Sequence, residues 1–309
     1  MPQDLRIVFM GTPDFAVPTL QILVENKYKI VAVITAPDKP AGRGQKLQQS
    51  PVKEYAVSQQ IPVLQPTNLK SEDFLEELRS YRANLQIIVA FRMLPEVVWA
   101  MPELGTFNIH GSLLPQYRGA APINWAIING EKETGVTSFF LKHEIDTGDL
   151  LFQERVPVLE EDDFGTVYEK LKHEGAKLAL RTVQAIEQGQ VQPQPQQHTG
   201  EMKHAPKIYK ETCQINWNQP AVQIRNFIRG LSPYPAAWTR LQDKTFKIFK
   251  TEVLPDAAYD LAPGQIRTDN KTFLHVQTAD GALAIHDLQM EGKKRMQLAD
   301  FLRGFNFTE

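Results

Sequence analysis

Through the first half of the chain, short unbroken apolar runs alternate with stretches of helical spacing. Residues 5–10 read as a strand buried on both faces and stopped by Gly11. Residues 30–35, 85–90, 105–110, 135–141 and 150–158 read as further strands. Between them, the apolar positions Phe15, Val17, Leu20, Leu23 and Val24 predict a helix over 15–26. Helices are also predicted over 52–59, 71–81 and 120–129, and a long amphipathic one over 164–188. Strands of continuous apolar character alternating with helices predict an α/β fold, a parallel sheet covered on both faces. Ligands of such sheets sit beyond the C-terminal ends of the strands, so the loops that follow strands are where chemistry belongs.

The pattern then changes. Residues 190–199 are rich in Gln and Pro, have no core-forming spacing, and read as a linker. Beyond Lys207 a helix over 221–229 precedes five short strand-like runs, at 237–241, 245–253, 264–268, 273–278 and 282–288. Turn residues separate them, and 298–305 reads as a terminal helix. Short strands in that series predict a small antiparallel barrel of OB type. The predicted division is thus 1–188 for the α/β domain, 189–206 for the linker and 207–309 for the small β domain.

Bulk composition adds limits. Apolar residues are 42% and charged residues 23%, ordinary for a globular chain that builds its own core. The single cysteine, Cys213, excludes an internal disulfide and a Cys-based zinc cluster. The apolar run 7–10 is too short for a secretory signal, and no run approaches a membrane span, so the cytoplasm is the expected location. Net charge is −2, but residues 206–309 carry 14 Lys+Arg against 11 Asp+Glu. That tilt fits a polyanionic partner and equally an ordinary solvated surface.

Several segments carry candidate chemistry. Gly11-Thr12-Pro13-Asp14-Phe15 follows the first strand, but Pro13 removes a donor that a phosphate cradle would use, so a plain strand-to-helix turn is the preferred reading. The loop 37–47 holds Lys39, Arg43 and Lys46 among Gly and Pro, and suits either a clamp on a phosphate backbone or plain surface. In Phe107-Asn108-Ile109-His110-Gly111, period-two alternation puts Asn108 and His110 on one side of a strand end, where amide and imidazole can address one substrate atom. The alternative is a pair of core polar residues. Asp146, before Thr147-Gly148, sits in a predicted turn; a carboxylate beside an imidazole fixes its orientation and favours its charged form. Asp146 could instead cap the turn, and His143 with Asp146 could bind a metal, although no ligand spacing supports one. Lys203, Lys207 and Lys210, with Tyr209 among them, and the run Lys293-Lys294-Arg295 are basic clusters that suit nucleic acid or simple solvation.

Taken together, these segments resemble the folate-dependent formyltransferases over nearly the whole length. The resemblance is carried by residues 6–15, by Asp38-Lys39-Pro40-Ala41-Gly42-Arg43-Gly44, by Asn108-Ile109-His110-Gly111-Ser112-Leu113-Leu114-Pro115, by Tyr117-Arg118-Gly119-Ala120-Ala121-Pro122-Ile123 and by Asp146-Thr147-Gly148-Asp149. The arginine loop, the Arg118–Ile123 run and the separate C-terminal domain resemble the tRNA-directed members. The resemblance implies a Rossmann-like first domain followed by an OB-like tRNA-binding domain. It implies transfer of the formyl group of 10-formyltetrahydrofolate to the α-amine of initiator methionyl-tRNA, by a monomer and without a metal. On it, Asn108, His110 and Asp146 are catalytic, Ser112, Leu113, Leu114 and Pro115 line the folate, and Arg43 and Lys207 meet tRNA. Two other outcomes stay open: a formyltransferase for another amine, such as a nucleotide sugar, and a nucleic-acid-binding protein with an inactive transferase domain. One segment departs from the tRNA-directed pattern. Ala90-Phe91-Arg92-Met93-Leu94-Pro95 lacks a Tyr-Gly and is similar instead to the purine-pathway formyltransferases.

Overall fold

The structure, a computed structural model, describes residues 3–41, 46–197, 200–255, 257 and 259–308. Its strands are β1 (Arg6–Gly11), β2 (Lys29–Ile34), β3 (Lys39–Ala41), β4 (Lys46–Gln48), β5 (Val63–Leu64), β6 (Leu85–Val89), β7 (Thr106–His110), β8 (Arg118–Gly119), β9 (Glu133–Phe140), β10 (Leu150–Pro157), β11 (His204–Ala205), β12 (Ala237–Leu241), β13 (Lys244–Leu254), β14 (Ile266–Thr268), β15 (Leu274–Gln277), β16 (Ala282–Met290) and β17 (Met296–Gln297). The helices are α1 (Val17–Glu25), α2 (Pro51–Ser58), α3 (Glu72–Ser80), α4 (Glu96–Trp99), α5 (Pro122–Ile128), α6 (Phe164–Glu187), α7 (Ala221–Leu231) and α8 (Leu298–Leu302). Two compact units emerge, and neither is continuous in sequence. The first takes Met1–Arg118, Thr134–Val156 and Tyr168–Lys203; the second takes Gly119–Glu133, Pro157–Val167 and His204–Glu309.

The first unit is built on a seven-stranded sheet of order β10-β9-β7-β6-β1-β2-β5. Strand β1 lies inside it, and Ile7, Val8, Phe9 and Met10 are all fully buried. A strand with both faces covered needs apolar residues at every position, which is why the run reads as continuous. Truncating Phe9 to alanine there would cost about 3–5 kcal/mol. The pairs β1–β2, β1–β6, β2–β5 and β6–β7 are parallel, as the pattern predicts. The expectation of a wholly parallel sheet is corrected at β9, which runs antiparallel to β7 with His110 opposite Thr137 and Phe107 opposite Phe140. The intervening connection carries β8 and the short helix α5 and makes no crossover, so the chain re-enters the sheet at the end it left. Strand order reverses between β1 and β6, and the crevice at such a switch point is where open α/β sheets take ligands.

Local chemistry explains the element ends. A Cβ added at Gly11 would lie 2.7 Å from the Ala16 Cβ and 3.0 Å from the Val89 carbonyl oxygen, so the close approach of turn to strand requires glycine. The turn continues into a 3-10 helix at Asp14–Ala16, the plain strand-to-helix connection. Helix α2 starts with Pro51 at its first turn, and the Ser50 hydroxyl accepts from the Lys53 backbone N–H at 3.1 Å. The Gln/Pro-rich stretch after α6 is pinned: Leu150 and Gln194 exchange backbone hydrogen bonds of 2.8 and 2.9 Å.

The second unit holds an antiparallel sheet, β12-β13-β16-β15-β14 with β17 beside β16. Register shifts between Ile248 and Thr251 bend the long β13–β16 pair, and the sheet curls into an OB-like half-barrel. Its core gathers Ile224, Ile228 and Leu231 of α7 with Phe246, Ile248, Val276, Ile285 and Leu288 of the sheet and Phe301 of α8. Among the described residues no helix is long and apolar enough to cross a membrane.

Candidate active site

Strand β7 delivers two polar side chains to one face. Asn108 and His110 lie two residues apart, about 7 Å along the strand, and point the same way. His110 is only 7% exposed, and the amide oxygen of Asn108 is buried without a hydrogen-bond partner. Buried polar atoms are nearly always satisfied, so an orphan beside a buried imidazole marks unspent hydrogen-bonding capacity.

Both ring nitrogens of His110 have assigned neighbours. Nε2 lies 2.9 Å from the carbonyl oxygen of Tyr117. A carbonyl only accepts, so Nε2 carries the hydrogen and the neutral ring has its lone pair on Nδ1. Nδ1 faces the Asp146 carboxylate at 3.9 Å. That separation is an ion pair's and not a hydrogen bond's. The carboxylate balances the ring's charge when Nδ1 is protonated, while the direction of the Nδ1 lone pair or proton stays available to a third group.

Asp146 comes from the turn after β9. Its backbone is left-handed, φ +56°, a conformation to which Asp is better suited than most residues. Gly148 is required by close approach: a Cβ there would fall 1.5 Å from the Phe140 carbonyl oxygen. Gln196, from the Gln/Pro stretch, donates from Nε2 to the carbonyls of Asp146 at 2.8 Å and Gly148 at 2.9 Å. Its Oε1 accepts from Arg118 Nη2 at 2.6 Å and Nε at 3.2 Å.

The segment after His110 is braced from below. Thr137 donates its hydroxyl to the Ser112 carbonyl at 2.6 Å and accepts from Leu114 N at 3.2 Å, and Gln153 donates to the Leu114 carbonyl at 2.8 Å. Ser112 is fully buried with its hydroxyl donating to the Gln116 carbonyl at 2.7 Å, and Leu114 is buried too. Leu113 and Pro115 are half-buried and present side-chain surface. The loop after β6 exposes Met93 (74%) and lines an open groove of about 800 Å³ together with Asn68, Lys70, Arg92 and Val97 among others. Arg92 is held there by donation to the Pro66 and Thr67 carbonyls. His143, in the Asp146 loop, reaches Glu96 of α4 at 3.3 Å and packs edge-on to Trp99.

At the switch point, Tyr168 donates to Asp14 at 2.6 Å and Lys172 approaches the other carboxylate oxygen at 3.3 Å. Burial, then the Asp14 hydrogen bond and charge, push the Tyr168 phenol well above its usual range.

The remaining predicted residues fall as follows. Arg43 lies outside the described residues. The hairpin β3–β4 flanks it, and its base is fixed by Asp38, which accepts from Lys53 at 2.6 Å and Gln65 at 2.7 Å. The Lys53 and Gln65 hydrogen bonds hold the Asp38 carboxyl below the usual carboxylate range. In the second unit, the Lys207 ammonium sits 5.4 Å from the Tyr209 ring centroid, a cation–π contact with Tyr209 55% exposed. In the run 293–295, Arg295 is committed internally: it pairs with Asp287 at 2.7 Å and lies over Phe249 at 4.1 Å. Among the described residues no group of three or more His, Cys, Asp or Glu could hold a metal ion.

Sequence reasoning missed Tyr117, which acts through its carbonyl and has no side-chain signature, and Gln196, which is one of several glutamines in a stretch without periodicity.

Two family models match the chain: Formyl transferase over residues 5–183 and Formyl transferase, C-terminal domain, over residues 207–306. The methionyl-tRNA formyltransferase of Bacteroides fragilis is 58% identical over 315 residues, which cover 99% of this chain and 97% of that protein. That of Flavobacterium johnsoniae is 48% identical, covering 99% and 98%. A solved N-formyltransferase from Helicobacter canadensis, in complex with folinic acid and dTDP-3-aminofucose, is similar with a TM-score of 0.67 at 20% identity, covering 94% of this chain and 100% of that one. At that identity the likeness is one of fold.

Proposed function

The chain belongs to the formyl transferase family, and from that premise we propose that it moves the formyl group of 10-formyltetrahydrofolate onto the α-amine of initiator methionyl-tRNA, in the cytoplasm. The acceptor is argued from the relatives named methionyl-tRNA formyltransferase, which match over almost the entire length. The chemistry is argued from one observation: a buried imidazole held by a carbonyl at Nε2 and faced by a carboxylate at Nδ1, with an amide of unspent capacity on the same strand.

The residues fit a formyl-folate. The orphaned Asn108 amide oxygen asks for a donor, which an N–H of the carrier or of the acceptor amine supplies, and half-buried Leu113 and Pro115 offer apolar surface. Bound there, the folate supplies an activated one-carbon acyl group. The amine nitrogen would bond to the formyl carbon as the carbonyl electrons move to oxygen, and their return would break that carbon's bond to the folate nitrogen, which leaves carrying a proton in place of the one the amine sheds. The side-chain NH2 of Asn108 and the Nδ1–H of the protonated His110 ring would be the donors for that oxygen. Such donors act in a site closed to water and are worth ~10²–10³ in rate each. Asp146 offsets the charge of the ring, and its carboxylate is an acceptor for the proton shed by the attacking nitrogen. Tyr117 keeps the ring from turning. Arg43 and Lys207 are assigned to the tRNA backbone.

The test is a formylation assay of the full chain with methionyl-tRNA, a dTDP-amino sugar and free methionine as competing acceptors, with formyl-folate present or omitted. Formyl-methionyl-tRNA that depends on the folate is the expected product. Preferred formylation of the sugar, or no transfer to any acceptor, rejects the reading.

A further inference from the structure

We propose that Gln196 is a positioning residue for the reaction, and that the Gln/Pro-rich stretch after α6 serves the site as its brace. The inference rests on the assignment of His110 and Asp146 made above.

Gln196 differs from the other glutamines around it. Gln194 and Gln197 are exposed, whereas Gln196 is half-buried and its amide makes four hydrogen bonds. The partners dictate which end points where. Arg118 can only donate, so it takes Oε1; the carbonyls of Asp146 and Gly148 can only accept, so they take the two hydrogens of Nε2. No hydrogen or lone pair of that arrangement is misdirected.

What the amide joins is the reason to assign it a role. Arg118 follows Tyr117, whose carbonyl holds Nε2 of His110. Asp146 faces Nδ1 of the same ring. Gln196 therefore ties together the two short segments that grip His110 from opposite sides. The Asp146 turn needs such a tie. Its backbone is in the left-handed region at Asp146, and Ile145 beside it is 58% exposed, so that side chain does not anchor it. The 3.9 Å gap between Nδ1 and the carboxylate is set by where this turn is held. Gln196 touches neither ring nor carboxylate, so its effect runs through the two peptide carbonyls and the guanidinium. Backbone pairing of Leu150 with Gln194, two residues earlier, delivers Gln196 to that place.

Two variants of the full chain separate this from a merely structural contact. Gln196→Ala removes all four hydrogen bonds. Gln196→Glu keeps the shape and the Arg118 partner but replaces both donors with a carboxylate oxygen facing two carbonyls. Steady-state kinetics are measured with formyl-folate and methionyl-tRNA. The ¹⁵N resonances of the His110 ring report which nitrogen carries hydrogen. Both variants should lower kcat by ~10 to ~10², the range of a small misplacement of catalytic groups. KM for both substrates should stay within about two-fold, since no substrate contact is removed. The His110 ¹⁵N pattern should shift as it does in Asp146→Asn. If the alanine variant does not fold, the near-isosteric glutamate variant carries the test. Wild-type kcat in a folded variant, or a lowered kcat with an unchanged His110 spectrum, overturns the proposal. Asp146→Asn keeps the two failures apart: wild-type kcat in that variant rejects the reading of the site itself, whereas a disabled Asp146→Asn beside a fully active Gln196→Glu rejects only the brace.

Discussion

Asn108 and His110 look alike in the sequence, two polar residues at alternate positions of a buried strand, but they are held in different ways. His110 has a carbonyl at one nitrogen and a carboxylate at the other, whereas the Asn108 oxygen is buried with no partner. A desolvated, unpaired amide oxygen costs on the order of 1–3 kcal/mol. A fold would not keep that arrangement for stability. Asn108→Leu, which keeps the branching at Cγ, should therefore leave the melting temperature unchanged or raise it, while kcat falls by ~10²–10³. Calorimetry beside the formylation assay checks both halves. A variant that melts several degrees lower and keeps its turnover would make Asn108 an ordinary core residue. His110→Ala, by contrast, strips a ring that the fold also uses, since Tyr117 and Phe139 pack or bond to it, so it should lose both activity and stability.

Among the elements, what was legible in the chain were those whose burial is self-contained. Strand β6 buries every residue and β1 all but its first, so their runs are unbroken. Helix α3 buries Phe74, Leu75 and Leu78 at helical spacing. Direction was not legible at β9, because its reversal depends on a connection whose helix belongs to the other unit. Nor was the tie of Gln196, whose partners lie about 50 and 78 residues away. The segment 158–163 is a further case: it joins β10 to α6, yet it is bonded to α7. Arg225 donates to Glu160 at 2.9 Å, Lys132 also pairs with Glu160, and the buried Arg229 donates to the carbonyls of Leu159 and Asp162. Hydrogen bonds from Lys132 first, then Arg225, pull the Glu160 carboxyl from 4.5 down to about 2. A carboxyl depressed by folding stabilises the fold above its unfolded value and loses that contribution as pH falls through the folded one. Glu160 is largely exposed, so screening keeps the effect small. Glu160→Gln should melt slightly below wild type at pH 7, and the two curves should converge between about 4.5 and about 2. A gap that persists unchanged through that range would mean the ion pairs contribute nothing.

For the whole molecule, the division into units governs which experiments can separate catalysis from tRNA binding. A cut after Lys203 looks natural along the sequence, because it removes the basic C-terminal part. Within the second unit, however, α5 relies on what such a cut removes. Asn124 donates to the Gly230 carbonyl at 2.8 Å and Trp125 to the Pro206 carbonyl at 2.8 Å. Gly230 itself is pressed against Ile128, where an added Cβ would lie 2.7 Å from a side-chain carbon. Ile123 and Ile127 are buried, and exposing them costs about 1.5–3 kcal/mol each. A chain ending at Lys203 should therefore bind a hydrophobic dye, melt at lower temperature and lose turnover on every acceptor, which would say nothing about tRNA. The informative change is Lys207→Ala in the full chain, which removes one exposed ammonium and its contact with Tyr209. It should leave the melting curve in place, raise KM for methionyl-tRNA and not for formyl-folate, and reduce the salt slope of tRNA binding by about 1. An unchanged slope would remove Lys207 from the tRNA surface, while a truncated chain that still melts cooperatively at the wild-type temperature would mean that α5 stands without α7.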